Sequence, residues 1–340
     1  MRKRAEESES ARKKNPGLDE GDVAIRVQNA SKFFGAKRAV DDLTMQIATG
    51  SVFGLIGPNG AGKTTTFSML AGYLKPTSGT LEVLGFAPNQ VAALRARIGV
   101  LPQDALLPAA DRVGEFLTHM ARLQGIPARK AIGIARDTLA EVDGKEWWDV
   151  RCGALSHGMA KRVQLAQALL GEPEVVLLDE PTAGLDPRIA YEVRQIIKSR
   201  KGRCTLIVSS HNLQELEEVC DGAAILDRGR LVGIGSMAEL TAATQEVRFK
   251  VTAAVTKPGT PETPGQGLTP LALVQGLPMV KLAEYDDTRG ELIVHFDPRG
   301  QVDAEQVIEA ALWVLLQQRV RISGVTKGRG LEQRVMEMTD

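Results

Sequence analysis

The sequence predicts an α/β protein, a mixed and mostly parallel sheet with helices, followed by a small α+β appendage. Three observations carry this. Short apolar runs alternate with stretches of helical periodicity from residue 24 to residue 209, the pattern of repeated βαβ units. Residues 257–270 hold four prolines and three glycines, a loop that separates this region from a second one. The 340 residues, 43% apolar and 25% charged, suffice for two buried cores.

The elements follow in order. Residues 1–21 are charged and polar, with Arg2, Lys3, Arg4, Glu6, Glu7, Glu9, Arg12, Lys13 and Lys14. They read as a disordered, solvated tail; the interleaved glutamates argue against docking on anionic lipid. Ala24–Gln28 and Leu43–Ile47 alternate like half-buried strands. Ser51–Ile56 is a short apolar run ending at a glycine-rich turn. Phe67, Leu70, Ala71 and Leu74 set a helix over Thr64–Leu74, Ser78-Gly79 reads as a turn, and Thr80–Leu84 as a strand. Residues 106–150 are mainly helical, broken at Pro127, and the pair Trp147-Trp148 reads as one core anchor beside one partly exposed ring. Met159, Val163, Ala166 and Leu170 recur at helical spacing. Val175–Leu178 and Thr205–Ser209 are buried strands.

The appendage opens with a strand, Glu246–Val251. Beyond the proline-rich loop come a helix (Leu271–Gly276), a strand (Val280–Tyr285), a turn at Asp287–Gly290, a strand (Glu291–Phe296), a helix (Ala304–Gln318), a strand (Val320–Gly324) and a last helix. The order βαββαβ is ferredoxin-like.

Charge and composition exclude several classes. Lys+Arg and Asp+Glu are both 42, so the net charge is zero. With no basic stripe, no nucleic-acid partner is expected. No apolar run approaches the 18 or so residues that span a bilayer, and no secretory signal opens the chain. Cys152, Cys204 and Cys220 are scattered without metal-ligand spacing, which fits a reducing cytoplasm.

Two motifs carry chemistry. Gly57-Pro58-Asn59-Gly60-Ala61-Gly62-Lys63-Thr64, followed by Thr65, fits G-x-x-x-x-G-K-[ST] between a strand and a helix. Its glycines let backbone N–H groups crowd around phosphate, Lys63 neutralises the β and γ phosphates, and the Thr64 hydroxyl suits Mg²⁺. Val175-Val176-Leu177-Leu178-Asp179-Glu180 is an apolar strand delivering two carboxylates to its C-terminal end, where open α/β sheets bind ligands. Asp179 suits a metal-holding aspartate, and Glu180 a general base for an attacking water.

Leu155-Ser156-His157-Gly158-Met159, ahead of a helix and before Asp179, resembles the signature motif of ATP-binding cassette (ABC) ATPases. The resemblance covers roughly residues 22–240 and implies a P-loop NTPase fold of the ABC nucleotide-binding type, a mixed sheet with a helical subdomain between Gln103 and Ser156. It implies ATP and Mg²⁺ as cofactors. Lys63 and Thr64 match Walker A, and Asp179 and Glu180 match Walker B. Gln103 matches the Q-loop that reaches Mg²⁺ and the attacking water. Asp186 matches the D-loop, His211 the H-loop that bonds the γ-phosphate, and Phe34 the aromatic that stacks on adenine. Ser156 and Gly158 would bind the γ-phosphate held by an opposite subunit, so the active form implied is a head-to-tail dimer, homomeric or heteromeric. His157 stands where the family has glycine, and Met159 where it has glutamine. His119 and His295 fall in no such pattern.

The stretch Gly330–Thr339 resembles the C-terminal extension of ABC-2-type exporter ATPases of the drug-export and gliding-motility kind. The resemblance thus implies an ATPase subunit at the inner face of the membrane, powering a separate ABC-2-type permease. Three domains are expected: the tail 1–21, an ATP-binding domain 22–240 and the appendage 241–340. A soluble ABC ATPase acting on nucleic acid or ribosomes is the other reading. It would carry a long coiled coil or two tandem cassettes, and neither is present.

Overall fold

The computed structural model describes residues 22–241, 246–252, 270–287, 289–296 and 303–327. The charged tail, most of the proline-rich loop, the last expected helix and the stretch 330–339 lie outside the described residues. The chain divides between Met237 and Ala238 into two compact units.

In chain order the first unit runs β1 (Val23–Phe34), β2 (Lys37–Ala48), β3 (Val52–Ile56), α1 (Lys63–Leu70), β4 (Ser78–Val83), α2 (Val91–Leu94), β5 (Ile98–Leu101), α3 (Val113–Leu123) and α4 (Ala128–Glu141). It continues through α5 (His157–Leu169), β6 (Val175–Asp179), α6 (Pro187–Ser199), β7 (Thr205–Ser209), α7 (Leu213–Val219), β8 (Gly222–Asp227) and β9 (Arg230–Ser236), with a short α8 (Met237–Thr241) at the division. Two sheets result. An antiparallel one has the order β2-β1-β4; the main one has the order β5-β6-β7-β3-β8-β9. The main sheet is parallel from β5 to β8 and closes with antiparallel β9.

Every residue of β3, β6 and β7 is buried. Parallel strands covered on both faces read as continuous apolar runs, which is why the sequence shows no alternation there. The other sheet departs from the sequence reading. β1 and β2 are 12 residues each rather than five. Asn29 and Asp42 have φ of 48° and 57°, and the β1–β2 and β1–β4 ladders shift register near them. Such bulges interrupt the period-two pattern and hide the strand length. Ser78-Gly79 opens β4 instead of forming a turn, since Ser78 pairs with Ser31. The helix after the glycine-rich loop stops at Leu70 rather than Leu74, because Gly72 turns left-handed with φ 77°.

The helical segment anchors through its tryptophans. Trp147 is buried, with the Arg162 guanidinium 5.4 Å from its ring centroid, and the half-buried Trp148 lies under Arg136 at 4.5 Å. α5 rests directly on β5. A Cβ at Gly99 would collide with the Ala168 carbonyl oxygen of α5, so only glycine admits this approach. This contact sets the height of α5 above the sheet, and with it the position of everything α5 carries.

The second unit runs β10 (Glu246–Thr252), α9 (Pro270–Gln275), β11 (Val280–Asp286), β12 (Glu291–Phe296), α10 (Ala304–Gln317) and β13 (Arg321–Lys327). Its sheet has the order β11-β12-β10-β13, antiparallel throughout, the split βαβ arrangement of ferredoxin-like folds. Val247, Phe249, Leu292 and Val294 pack on Val274, Val307, Ala311 and Leu315. Asp303 caps α10 reciprocally with Gln306.

Gly99→Ala is expected to cost about 3 kcal/mol, since overpacking against a backbone carbonyl has no flexible side chain to absorb it. Urea denaturation measures this, and an unchanged midpoint would show that α5 is free to shift off β5.

Candidate active site

The C-terminal ends of β3, β5, β6 and β7 lie side by side because those strands are parallel and adjacent. Each end delivers a segment to one cleft of about 530 Å³, lined by Lys37, Ala39, Asn59, Gly60, Gly62, Lys63, Thr64, Thr65, Gln103, Asp179, Glu180, Ala183 and His211.

The glycine-rich loop joins β3 to α1 and aims the N-terminal end of that helix at the cleft. Gly57 is obligatory there: its φ is 155°, and a Cβ would lie 2.8 Å from the Ala61 Cβ and clash with the Leu226 carbonyl oxygen. Lys63 is only 8% exposed. Its Nζ donates to the Gly57 carbonyl at 2.7 Å and the Pro58 carbonyl at 3.3 Å. Burial lowers its pKa, and the charges of Glu180 and Asp179 oppose that.

Asp179 ends β6 opposite Ser209 at the end of β7. Ser209 Oγ donates to Asp179 Oδ1 and accepts from the Glu180 N–H at 3.0 Å. The Glu180 N–H also reaches the Ser209 carbonyl at 3.2 Å. Burial pushes the Asp179 pKa up, hydrogen bonds from Ser209 and Thr64 oppose the shift, and the neighbouring Glu180 adds to it. Glu180 has φ 52°, a left-handed backbone uncommon outside glycine. This strained turn, fixed by Ser209, directs the carboxylate to the cleft. His211 Nδ1 donates to Glu180 Oε2 at 2.8 Å.

Thus a buried cation, two buried carboxylates, an imidazole and a run of loop N–H groups converge on one polar cleft. The donor set suits a polyphosphate with a hard divalent cation and an attacking water.

Comparison with known proteins agrees. The family described as ABC transporter matches residues 40–183. The daunorubicin resistance ATP-binding protein DrrA3 of Streptomyces coeruleorubidus is 38% identical over 232 residues, 68% of this chain and 73% of that protein. This chain belongs to the ABC transporter ATP-binding family. The Nod factor export ATP-binding protein I of Paraburkholderia xenovorans is 36% identical over 225 residues, 65% of this chain and 73% of that one. Among solved structures, one described as the ATP binding subunit of an ABC transporter superposes with a TM-score of 0.59 at 26% identity, covering 64% of this chain and 91% of that one. CbiO1 of Clostridium perfringens, part of the transporter complex cbiONQ, gives 0.58 at 28%, covering 64% and 90%.

In this ABC ATPase the remaining motif residues lie off the cleft. Ser156 caps α5, its Oγ accepting from the Met159 N–H at 3.3 Å. Gly158 packs against Ile189, where a Cβ would lie 3.2 Å from Cγ2. His157 is exposed, with Nε2 over Gly184. Asp186 is the exposed N-cap of α6. Phe34 is 48% exposed at the end of β1, with the Lys32 ammonium 5.4 Å from its ring centroid. Phe34 does not line the cleft, but Lys37, its partner across the hairpin, does.

Sequence reasoning missed Lys37, Ala39 and Ala183 in the lining, and the role of Ser209. The available signal for Ser209 was a hydroxyl closing a buried strand just before His211.

Ser209→Ala is expected to lower ATP turnover about tenfold, since Asp179 loses a donor that fixes it. Stability should fall by about 1–2 kcal/mol, the cost of an underbonded buried carboxylate. Steady-state hydrolysis and urea titration read both. Wild-type turnover would show that the Ser209 bond does not organise the site.

Proposed function

We propose that this chain is the ATP-hydrolysing subunit of an exporter, working on a separate ABC-2-type permease. The observation that carries the hydrolytic part is the meeting of Lys63, Thr64, Gln103, Asp179, Glu180 and His211 in one cleft at the strand ends. Export rests on the relatives, whose names state drug resistance and Nod factor export. Among the described residues no helix is long and apolar enough to cross a membrane. In this proposal the crossing belongs to the permease, and this chain sits at the inner face.

The residues have separable tasks. Asn59–Thr65 wraps the triphosphate with backbone N–H groups, and the α1 N-terminus adds its partial positive charge. Lys63 exchanges the Gly57 and Pro58 carbonyls for phosphate oxygens. Thr64 and Asp179 line the same cleft, and with Gln103 they would hold Mg²⁺, which supplies charge neutralisation on the phosphates. Glu180 accepts the proton of the attacking water, held at the required angle by its backbone turn and by His211. Ser156, Gly158 and Asp186 lie away from this cleft, which supports the reading that they serve the site of a second subunit in a head-to-tail dimer. His157 there contributes no necessary group.

Lys63→Ala should abolish hydrolysis in a folded chain. Glu180→Gln keeps size and hydrogen-bonding reach, so ATP still binds while turnover falls by about 10² or more. With turnover blocked, light scattering should find a dimer in Mg-ATP, fewer dimers in ADP, and none when Ser156→Arg is added. Wild-type turnover in Glu180→Gln would overturn the assignment of the base. A monomer throughout would overturn homodimeric closure.

A further inference from the structure

Lys161 is a buried charge that the mechanism above leaves unused. It is 6% exposed, on α5. It makes no hydrogen bond among the described residues. An ammonium buried this way costs stability that an apolar side chain of the same length would not.

Its surroundings follow from helix geometry. Residues three, four and seven apart share a helix face. On the face that Lys161 opens, Gln164 Nε2 donates to the Ala105 carbonyl at 2.8 Å, Leu165 is buried, and Ala168 meets Gly99 of β5. Lys161 therefore stands over the end of β5, where the chain passes through Gln103 and Asp104. β5 pairs with β6 in the register Leu101↔Leu178. The segment 103–104 and the pair Asp179-Glu180 thus leave the sheet side by side under Lys161. Burial pushes its pKa down, and Asp179, Glu180 and Asp104 pull it back up.

Two lysines therefore lie on the side of one carboxylate pair, Lys63 from the glycine-rich loop and Lys161 from α5 above the ends of β5 and β6. Only Lys63 lines the cleft. Once a triphosphate engages Lys63, Lys161 is the side-chain cation left to Asp179 and Glu180, beside the Mg²⁺ that Asp179 would help to hold. We propose that Lys161 is a positioning residue for hydrolysis, a buried ammonium carried by α5 that keeps the Asp179 and Glu180 carboxylates in their working orientation when Lys63 turns to phosphate. This rests on the hydrolytic reading of the site.

A structural role and a positioning role move different readouts. Lys161→Met removes the charge, keeps the length, and relieves a buried ammonium, so the fold should melt at an unchanged or higher temperature. In the full chain with Mg-ATP, kcat should fall about tenfold or more, while KM and the binding of a fluorescent ATP analogue change less than about threefold. Lys161→Arg restores the charge and should keep at least about a third of kcat.

Three results would overturn the proposal. One is Lys161→Met with kcat within about twofold of wild type. The second is Lys161→Arg as impaired as Lys161→Met, which would mean shape matters and charge does not. The third is loss of kcat accompanied by a lowered melting temperature in Lys161→Met. Glu180→Gln in the same assay separates the two readings. If it hydrolyses normally, the site assignment fails. If it is inactive while Lys161→Met is active, only the role of Lys161 fails.

Discussion

Asp179 lies opposite Ser209 in the parallel pairing of β6 with β7, and this register decides what the cleft can contain. Neighbouring side chains on a strand point to opposite faces, so a slip of one residue would turn Asp179 away from Ser209 and Glu180 away from the cleft. Burial on both faces, by Val175 and Leu177 on one and Leu206 and Val208 on the other, anchors the two strands in the interior. β3 lies beyond β7 and brings the glycine-rich loop. β5 lies beyond β6 and brings Gln103. The chemistry is assembled by strand order before any side chain makes a specific contact.

The arrangement is costly in isolation. Lys63, Lys161, Asp179 and Glu180 are all buried, and Glu180 sits in a left-handed backbone. Buried charges and strained backbone persist where the surrounding packing over-determines them, and they gather at functional sites. Here the apolar strands β3, β6 and β7 supply the surplus. The charges also balance, two cations beside two carboxylates. Phosphate withdraws Lys63 from that balance, and the Mg²⁺ proposed at Asp179 would enter it.

What was legible in the sequence follows from how local each signal is. The glycine-rich loop could be read because its spacing, its preceding strand and its following helix are contiguous. Asp179 and Glu180 could be read because an apolar run ends on them. β1 and β2 were read at under half their length, since bulges at Asn29 and Asp42 break the alternation. β5 is four residues long, and β8 opens Gly222-Ala223-Ala224, small residues with little strand propensity. The tasks of Ser209 and Lys161 depend on partners distant in sequence. In a helix of otherwise amphipathic pattern, Lys161 looks like a solvated charge until α5 is set down on Gly99.

The most direct test is the structure of the Glu180→Gln chain with Mg-ATP. Lys63 Nζ should have left the Gly57 and Pro58 carbonyls for the β and γ phosphate oxygens, with the metal ion between Thr64 and Asp179 and the Asp179–Ser209 bond intact. A triphosphate bound away from the loop, with Lys63 still on its own carbonyls, would contradict the site as derived.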